Sequence, residues 1–479
     1  MYRGKTILAF IMLFSLSFIA CSEDEDFTSS PDNLLTFSTD TVSLDTVFSS
    51  VPSVTRTMWV HNRSGKSIRC SNVRLEHGNQ TGFRVNVDGI YLGSEAGFQT
   101  GDIEVRNKDS IRVFVELTSP LNNADEPVLW EDNLIFTLES GVNQKVNLNA
   151  YTWDVTILDS IHVASDTLIY SSKPIVIRKG IKVDEDVTLR IAAGTTLYFG
   201  NSAGIDVYGT LISEGTPDAN VTLRGDRIDR MFDYLPYDFV SGQWQGIHFK
   251  TSSYENKLTY TDIHSTYDGV VVDSSDVDKQ TLQLNAVTIH NCQGYGLLSY
   301  NSWIELTNCQ ITNTLRDCLA VYGGKATVNS CTIAQFYPFD ANRGAALRFS
   351  AIPYPLISFN CLNSLITGYS DDEMMGEPGE EGVDFNYAFD HCIIRTPKIT
   401  TDDSLKFTNV VYEDVEDTIG CGRKHFMKFD TENLRYNFDL DSLSTAIGCA
   451  DPSTSAPTDR QGRIRDEKPD IGAYERIEN

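Results

Sequence analysis

The sequence of 479 residues predicts an all-β protein: a β-sandwich over residues 34–152, a right-handed parallel β-helix over 153–420 and a C-terminal cap over 421–479. Three observations carry this. No segment holds a sustained apolar period of 3.6 residues, so amphipathic helices are missing from the pattern. The first part breaks into short alternating or β-branched runs between polar turns. The second part repeats itself, with Ile263, Ile289, Ile311, Ile333, Ile366 and Ile394 spaced 26, 22, 22, 33 and 28 residues apart. Apolar residues make up 41% of the chain, enough for a large core. The net charge of -27 excludes a nucleic acid as partner and argues, less strongly, against a polyanionic glycan.

Arg3 and Lys5 precede an apolar run from Ile7 to Ala20, and Cys21 follows. A basic start, a short apolar stretch and a small residue before the break make residues 1–20 a secretory signal. The Ile19-Ala20-Cys21 ending resembles a bacterial lipobox, with Phe18 where leucine is usual. That resemblance implies a diacylglyceryl group on the Cys21 sulfur, and so a membrane as partner; an ordinary signal peptide is the alternative. Ser22, Glu23, Asp24, Glu25 and Asp26 resemble the surface-export signal of Bacteroidetes lipoproteins. This implies an outer-membrane protein facing the cell exterior, whereas a solvated tether would be only a linker. Residues 21–33 form the leash, reaching about 40 Å when extended.

Eight runs between Leu35 and Tyr151 read as strands, including Val42 to Phe48, Ile68 to Leu75 and Ile111 to Leu117. Their number and spacing suggest a β-sandwich. The order of Thr36-Phe37-Ser38, Arg56-Thr57-Met58-Trp59-Val60 and Ile111-Arg112-Val113-Phe114-Val115 resembles immunoglobulin-like domains of multi-domain surface proteins, which implies a spacer or interaction module.

In the repeat, two residues before each isoleucine stand Thr261, Val287, Cys309, Cys331, Ser364 and Cys392. A second apolar register passes through Val271, Leu298, Ala320 and Leu347, and a third through Ile304, Ala326 and Leu356. Three inward registers per turn predict a parallel β-helix whose equivalent residues stack about 4.8 Å apart. The opening, Gly204-Ile205-Asp206-Val207-Tyr208-Gly209-Thr210, and the closing Asp470-Ile471-Gly472-Ala473-Tyr474-Glu475 resemble the β-helix surface proteins of Bacteroidetes in the pectin-lyase-like superfamily. The resemblance covers residues 153–479 and implies that the closing segment seals the last coils. It says little about function, because one fold hosts many.

Cys309, Cys331 and Cys392 read as small inward core residues. Cys421 and Cys449 lie in the cap, either as a pair or as free thiols.

Candidate chemistry is sparse. A lyase needs aspartates for calcium and a basic residue nearby. Asp262, Asp273, Arg316 and Arg348 are candidates that the pattern does not assemble. No Gly-His-Gly, nucleophile elbow or phosphate-cradling loop is present. His264 and His290 share a ladder position where neutral imidazoles could bind a metal, but Thr312 and Ala334 continue it and supply no third ligand, so the pair reads as an outward polar ladder. Phe232, Tyr234, Tyr237, Phe239 and Trp244 cluster in an insertion over 227–244, as loop packing or as a ligand platform. Residues 370–382 read as a mobile acidic loop, with Asp371, Asp372 and Glu373 as weak metal candidates; calcium is the one cofactor this admits. Asp-Ser or Asp-Thr before an apolar residue at Thr41, Thr46, Ser110, Ser160, Thr167, Ser404, Thr418 and Ser442 resembles the O-glycosylation motif of Bacteroidetes exported proteins, or simply starts strands after turns.

The expectation is an outer-membrane surface lipoprotein that binds a glycan, a peptide or a neighbouring outer-membrane transporter without catalysis. The alternatives are a polysaccharide lyase or glycoside hydrolase, and a structural or adhesive component.

Overall fold

The computed structural model describes residues 26–477 except Ser172 and Asp233. The lipobox and residues 22–25 of the export signal lie outside the described residues; Asp26 is exposed. Two compact units form, divided after Thr152, with residues 123–126 belonging to the second.

The first unit is a two-sheet sandwich. One sheet orders Leu35–Phe37, Arg56–Asn62, Ser110–Leu117, Phe83–Val87 and Ile90–Tyr91. The other orders Thr41–Phe48, Asn143–Trp153, Val128–Leu138, Ile68–Leu75 and Gln99–Thr100, with Ile103–Val105 also on Ile68–Leu75. Alternation places Met58, Val60, Val113 and Val115 of one sheet and Val73, Leu134, Phe136 and Leu148 of the other in one core. The three strands that the sequence pattern does not show, Ile90–Tyr91, Gln99–Thr100 and Ile103–Val105, are two or three residues long.

The second unit is the parallel β-helix. One wall is an eleven-stranded sheet from Thr156–Leu158 to Val411–Tyr412. The six isoleucines pair in register along it and are fully buried. Ile311→Val should cost about 1 kcal/mol through the methyl-sized gap it leaves, measurable as a lower urea midpoint for this unit. The other two walls share a seventeen-stranded sheet, because Leu297–Thr307 and Leu319–Asn329 each run through both.

The other two registers drift from the sequence reading. Leu298 and Ala320 pair with Val271 and Arg348 and point outward; Leu347 pairs instead with the inward Leu319. In the third register Ala326 pairs with Phe359, while Leu356 sits opposite Gly324 across a bulge. The insertion before Leu347 shifts that strand by one residue, which reverses its side chains relative to Ala320.

A sharp corner leads into each of the last six strands of the isoleucine wall. Ala286, Asn308, Ser330, Asn363, His391 and Asn409 all adopt left-handed φ of 48 to 54° there. The corner N–H groups donate to the coil above, as Asn308 does to the Asn329 carbonyl at 3.1 Å.

The C-terminal segment lies along the helix, not across its end. Gly472 N donates to Asn363 O at 2.9 Å, Ala473 N to Thr332 Oγ1 at 3.0 Å, Tyr474 Oη to Gln310 Oε1 at 2.5 Å and Arg460 Nε to Thr288 Oγ1 at 2.9 Å. It thus covers the outer face of the isoleucine wall over several coils. There Leu365 and Ile393 point outward and pack with Phe426, Phe438, Ile471 and Ala473. The last coils are filled from within by Phe349, Phe359, Phe389 and Phe407, with Phe389 and Phe407 stacked at 5.3 Å.

Cys309, Cys331 and Cys392 are fully buried in one ladder with Val287 and Ser364. Cys421 and Cys449 are free thiols, the first buried and the second exposed, so they do not pair.

Candidate functional site

The wall that begins with Ile161–Val163 carries an outward row of side chains. His162, Lys182, Asp206, His248, Val271, Leu298, Ala320 and Arg348 are paired neighbours on eight successive strands. Two cavities open on it. One of about 690 Å³ runs from His162 to Leu298 beside Tyr267 and Asp268. The other, about 450 Å³, is lined by Tyr295, Arg316, Asp317, Tyr322, Arg343 and Arg348. Close stacking of the backbone keeps the floor flat. At Gly246 (φ 85°) a Cβ would stand 1.8 Å from the Asp268 carbonyl oxygen.

The ends of the row are charged and its middle is apolar. Lys250 bridges Asp206 at 2.7 Å and donates to His248 Nδ1 at 2.6 Å, while His248 Nε2 contacts Asp273 at 2.8 Å. Arg348 donates to buried Asp317 at 2.7 Å and also pairs with Glu377. Between these ends Tyr300 and Tyr322 stack at 5.4 Å beside Leu298 and Ala320. Burial pushes the Asp268 carboxyl above its ordinary range, partly offset by the Tyr295 N–H it accepts at 2.7 Å. The fold therefore brings Arg316 and Arg348 to one cavity, pairs Asp273 with His248 further along the row, and leaves Asp262 on the isoleucine wall.

The aromatic cluster of the insertion divides. Trp244 is fully buried, stacked on Phe199 at 4.3 Å, with Nε1 donating to His264 O at 2.8 Å. It is core, not platform: a lone bridge to Thr266 ahead of the strand Ile247–Phe249 turns it into the β-helix interior. Phe232 and Tyr234 are half exposed and stacked at 5.8 Å. Arg227 lies over Tyr237, and Phe239 lines a separate cavity of about 280 Å³.

Residues 370–382 are not simply a loop: Met374–Glu377 is a strand, and Glu373 is fully buried. Asp372 accepts from Thr396 Oγ1 at 2.7 Å, and Glu373 accepts from the Ser370 and Ala346 N–H groups. Asp371, Asp372 and Glu373 therefore do not converge as metal ligands. Among the O-glycosylation candidates, Thr41, Ser160, Ser404, Thr418 and Ser442 are exposed, and Thr46, Ser110 and Thr167 are half-buried.

The histidine pair is richer than an outward ladder. His264 and His290 stack at 4.8 Å, but the insertion covers them with Asp238. His264 Nδ1 contacts Asp262 at 2.8 Å and its Nε2 contacts Asp238 at 2.8 Å; Arg224 holds the same Asp238 oxygen at 2.7 Å. Burial disfavours an imidazolium here, but the Asp262 and Asp238 carboxylates outweigh it and hold His264 at about 9. Burial likewise opposes ionisation of Asp262, and His264 and His290 overturn it, keeping Asp262 well below its usual range. A search for a third ligand on the next coil misses Asp262, which sits two residues earlier on the same strand. Asp238 has no periodic signal at all.

Residues 164–333 match the family model described as a right handed beta helix region. This agrees with the parallel walls observed. No curated protein matches the chain. Among solved structures, similarity extends to a family 123 glycoside hydrolase from Clostridium perfringens, at 7% identity and TM-score 0.17, covering 25% of each chain. It also extends to the catalytic unit of a thermostable GH87 α-1,3-glucanase from Streptomyces thermodiastaticus, at 11% identity and TM-score 0.24, covering 75% of this chain and 89% of that one. At these scores neither likeness carries a functional argument.

Proposed function

We propose that this protein is a lipid-anchored outer-membrane surface protein whose β-helix binds an extended glycan along the row from His162 to Arg348. The Cys21 motif and the acidic residues after it support the anchor and its outward location, with the sandwich as an immunoglobulin-like spacer. The observation that carries the binding reading is the part-exposed Tyr300–Tyr322 stack, set over the buried Leu298 and Ala320. Sugar rings present apolar faces and polar edges, and a floor with tyrosines flanked by charged ends answers both. Eight strands at about 4.8 Å span roughly 34 Å, which favours a chain over a monosaccharide.

Against a panel of neutral polysaccharides, the full mature chain should retain at least one in affinity electrophoresis. Tyr267→Ala and Tyr322→Ala should each weaken retention up to about tenfold, since an aromatic contact contributes about 0.5–1.5 kcal/mol. No retained polysaccharide, or equal retention by the double variant, would overturn the reading. A transporter partner should co-purify after gentle detergent extraction.

One observation favours a hydrolase or lyase instead: Asp268, a carboxyl raised by burial, borders the same floor. Product release that Asp268→Asn abolishes would establish that second reading.

A further inference from the structure

We propose that Asp262, His264 and His290 bind a divalent cation of the zinc class, with Asp238 from the 227–244 insertion orienting the site. His264 Nδ1 lies 2.8 Å and His290 Nε2 3.3 Å from Asp262 Oδ1, and the three ligand atoms fall within 4.8 Å of one another. Tetrahedral zinc with bonds of about 2.0–2.1 Å separates its ligand atoms by roughly 3.3 Å, so small side-chain shifts suffice. Backbone pairing of His264 with His290 across adjacent strands fixes two of the three donors.

A second observation is independent of that spacing. His264 gives its other nitrogen, Nε2, to Asp238 at 2.8 Å, and Arg224 holds the same carboxylate at 2.7 Å. A carboxylate behind a histidine is the arrangement that fixes ring and tautomer in metal centres. Here it leaves Nδ1 to face the shared point, where the cation takes the place of the Nδ1 proton that Asp262 otherwise accepts and that proton goes to solvent. Two imidazoles and one carboxylate suit zinc better than calcium or magnesium, which take oxygen sets. Three protein ligands leave a fourth position for water or for a donor group of a small ligand. His290 also lines the 280 Å³ cavity, from which such a ligand would enter. The site lies on the isoleucine wall, apart from the tyrosine floor, so the glycan reading and this one stand separately.

The test uses the full mature chain, stripped with a chelator and then titrated with zinc by calorimetry and with cobalt by visible absorption. One equivalent should bind, with cobalt ligand-field bands. His290→Gln should abolish saturable uptake, and Asp238→Asn should weaken it 10- to 100-fold. His391→Gln, in the separate Asp390–His391–Asp451 cluster, should change neither. His290 is partly exposed, and its glutamine variant should melt like the parent in chelator while losing the zinc-induced rise in Tm. If His290→Gln misfolds, Asp238→Asn decides by its affinity alone. No saturable uptake by the parent, or uptake unchanged in both variants, would overturn the proposal.

Discussion

Replacing Arg465 with alanine is expected to lower the stability of the β-helix unit by about 3–5 kcal/mol, the usual cost of stranding one partner of a buried ion pair. The guanidinium is nearly inaccessible. Nη1 donates to Asp470 O at 2.9 Å and Glu475 Oε2 at 3.1 Å, while Nη2 donates to Gly472 O at 2.8 Å and Asn308 Oδ1 at 3.1 Å. One side chain thus folds the closing segment on itself and ties it to a corner of the helix. Without it Glu475 stays buried, with only the Asp466 and Asp470 N–H groups as partners through its side chain. Hydrogen exchange should rise first over residues 441–477, before the coils themselves open. Arg465→Lys should recover little, because an ammonium cannot reproduce the fork that serves four acceptors. The double variant Arg465→Met with Glu475→Leu should be less destabilised than Arg465→Ala, since it leaves no orphaned charge. Equal exchange protection in Arg465→Ala and the parent would show that the closing segment is held by its apolar contacts alone.

How much of this was legible follows from where information sits in a solenoid. The isoleucine wall is readable because identical residues stack with nothing between them but length variation. The other walls are readable only up to the insertion before Leu347, where pairing resumes one residue out of step. Val271, Leu298 and Ala320 keep register with one another, so their spacing is right, but an apolar period alone does not say that they face outward. Leu365 and Ile393, apolar and outward on the isoleucine wall, mark a face that something must cover. The signal lies in the sequence, but it becomes meaningful only once the closing segment is seen to lie along that face. Of the candidate sites, the histidine pair could be found by period alone. Arg316 and Arg348 could be named but not joined, because they share a cavity only once the coil between them is counted, and Asp273 pairs instead with His248. Asp238 comes from an insertion with no period, so no spacing argument reaches it.

Raising the pH from about 4.5 to 8 is expected to destabilise the coils around Glu373. Its carboxyl is fully buried, and burial pushes it up to about 8 against an ordinary value of 4.5, although two N–H groups, of Ser370 at 2.7 Å and Ala346 at 2.9 Å, pull the other way. The packing is tight: a Cβ on Gly368 would meet Glu373 Oε1 at 2.1 Å, so no water has room on that side. Because the folded value lies above the unfolded one, the folded state binds the proton more strongly. The stabilisation is fully present below the unfolded value near 4.5. It declines as pH rises, by about 1.4 kcal/mol per unit, and is gone above the folded value near 8. Over that window the loss is roughly 5 kcal/mol as an upper bound. The direction is opposite to that of Asp262 and Asp238, whose lowered values add stability as pH rises from acid. Glu373→Gln keeps the shape of the neutral acid and removes its proton. Subtracting its pH profile of unfolding from that of the parent should therefore isolate one proton released between pH 4.5 and 8. Parallel profiles would mean that Glu373 is ionised in the folded protein and that its two N–H donors outweigh its burial.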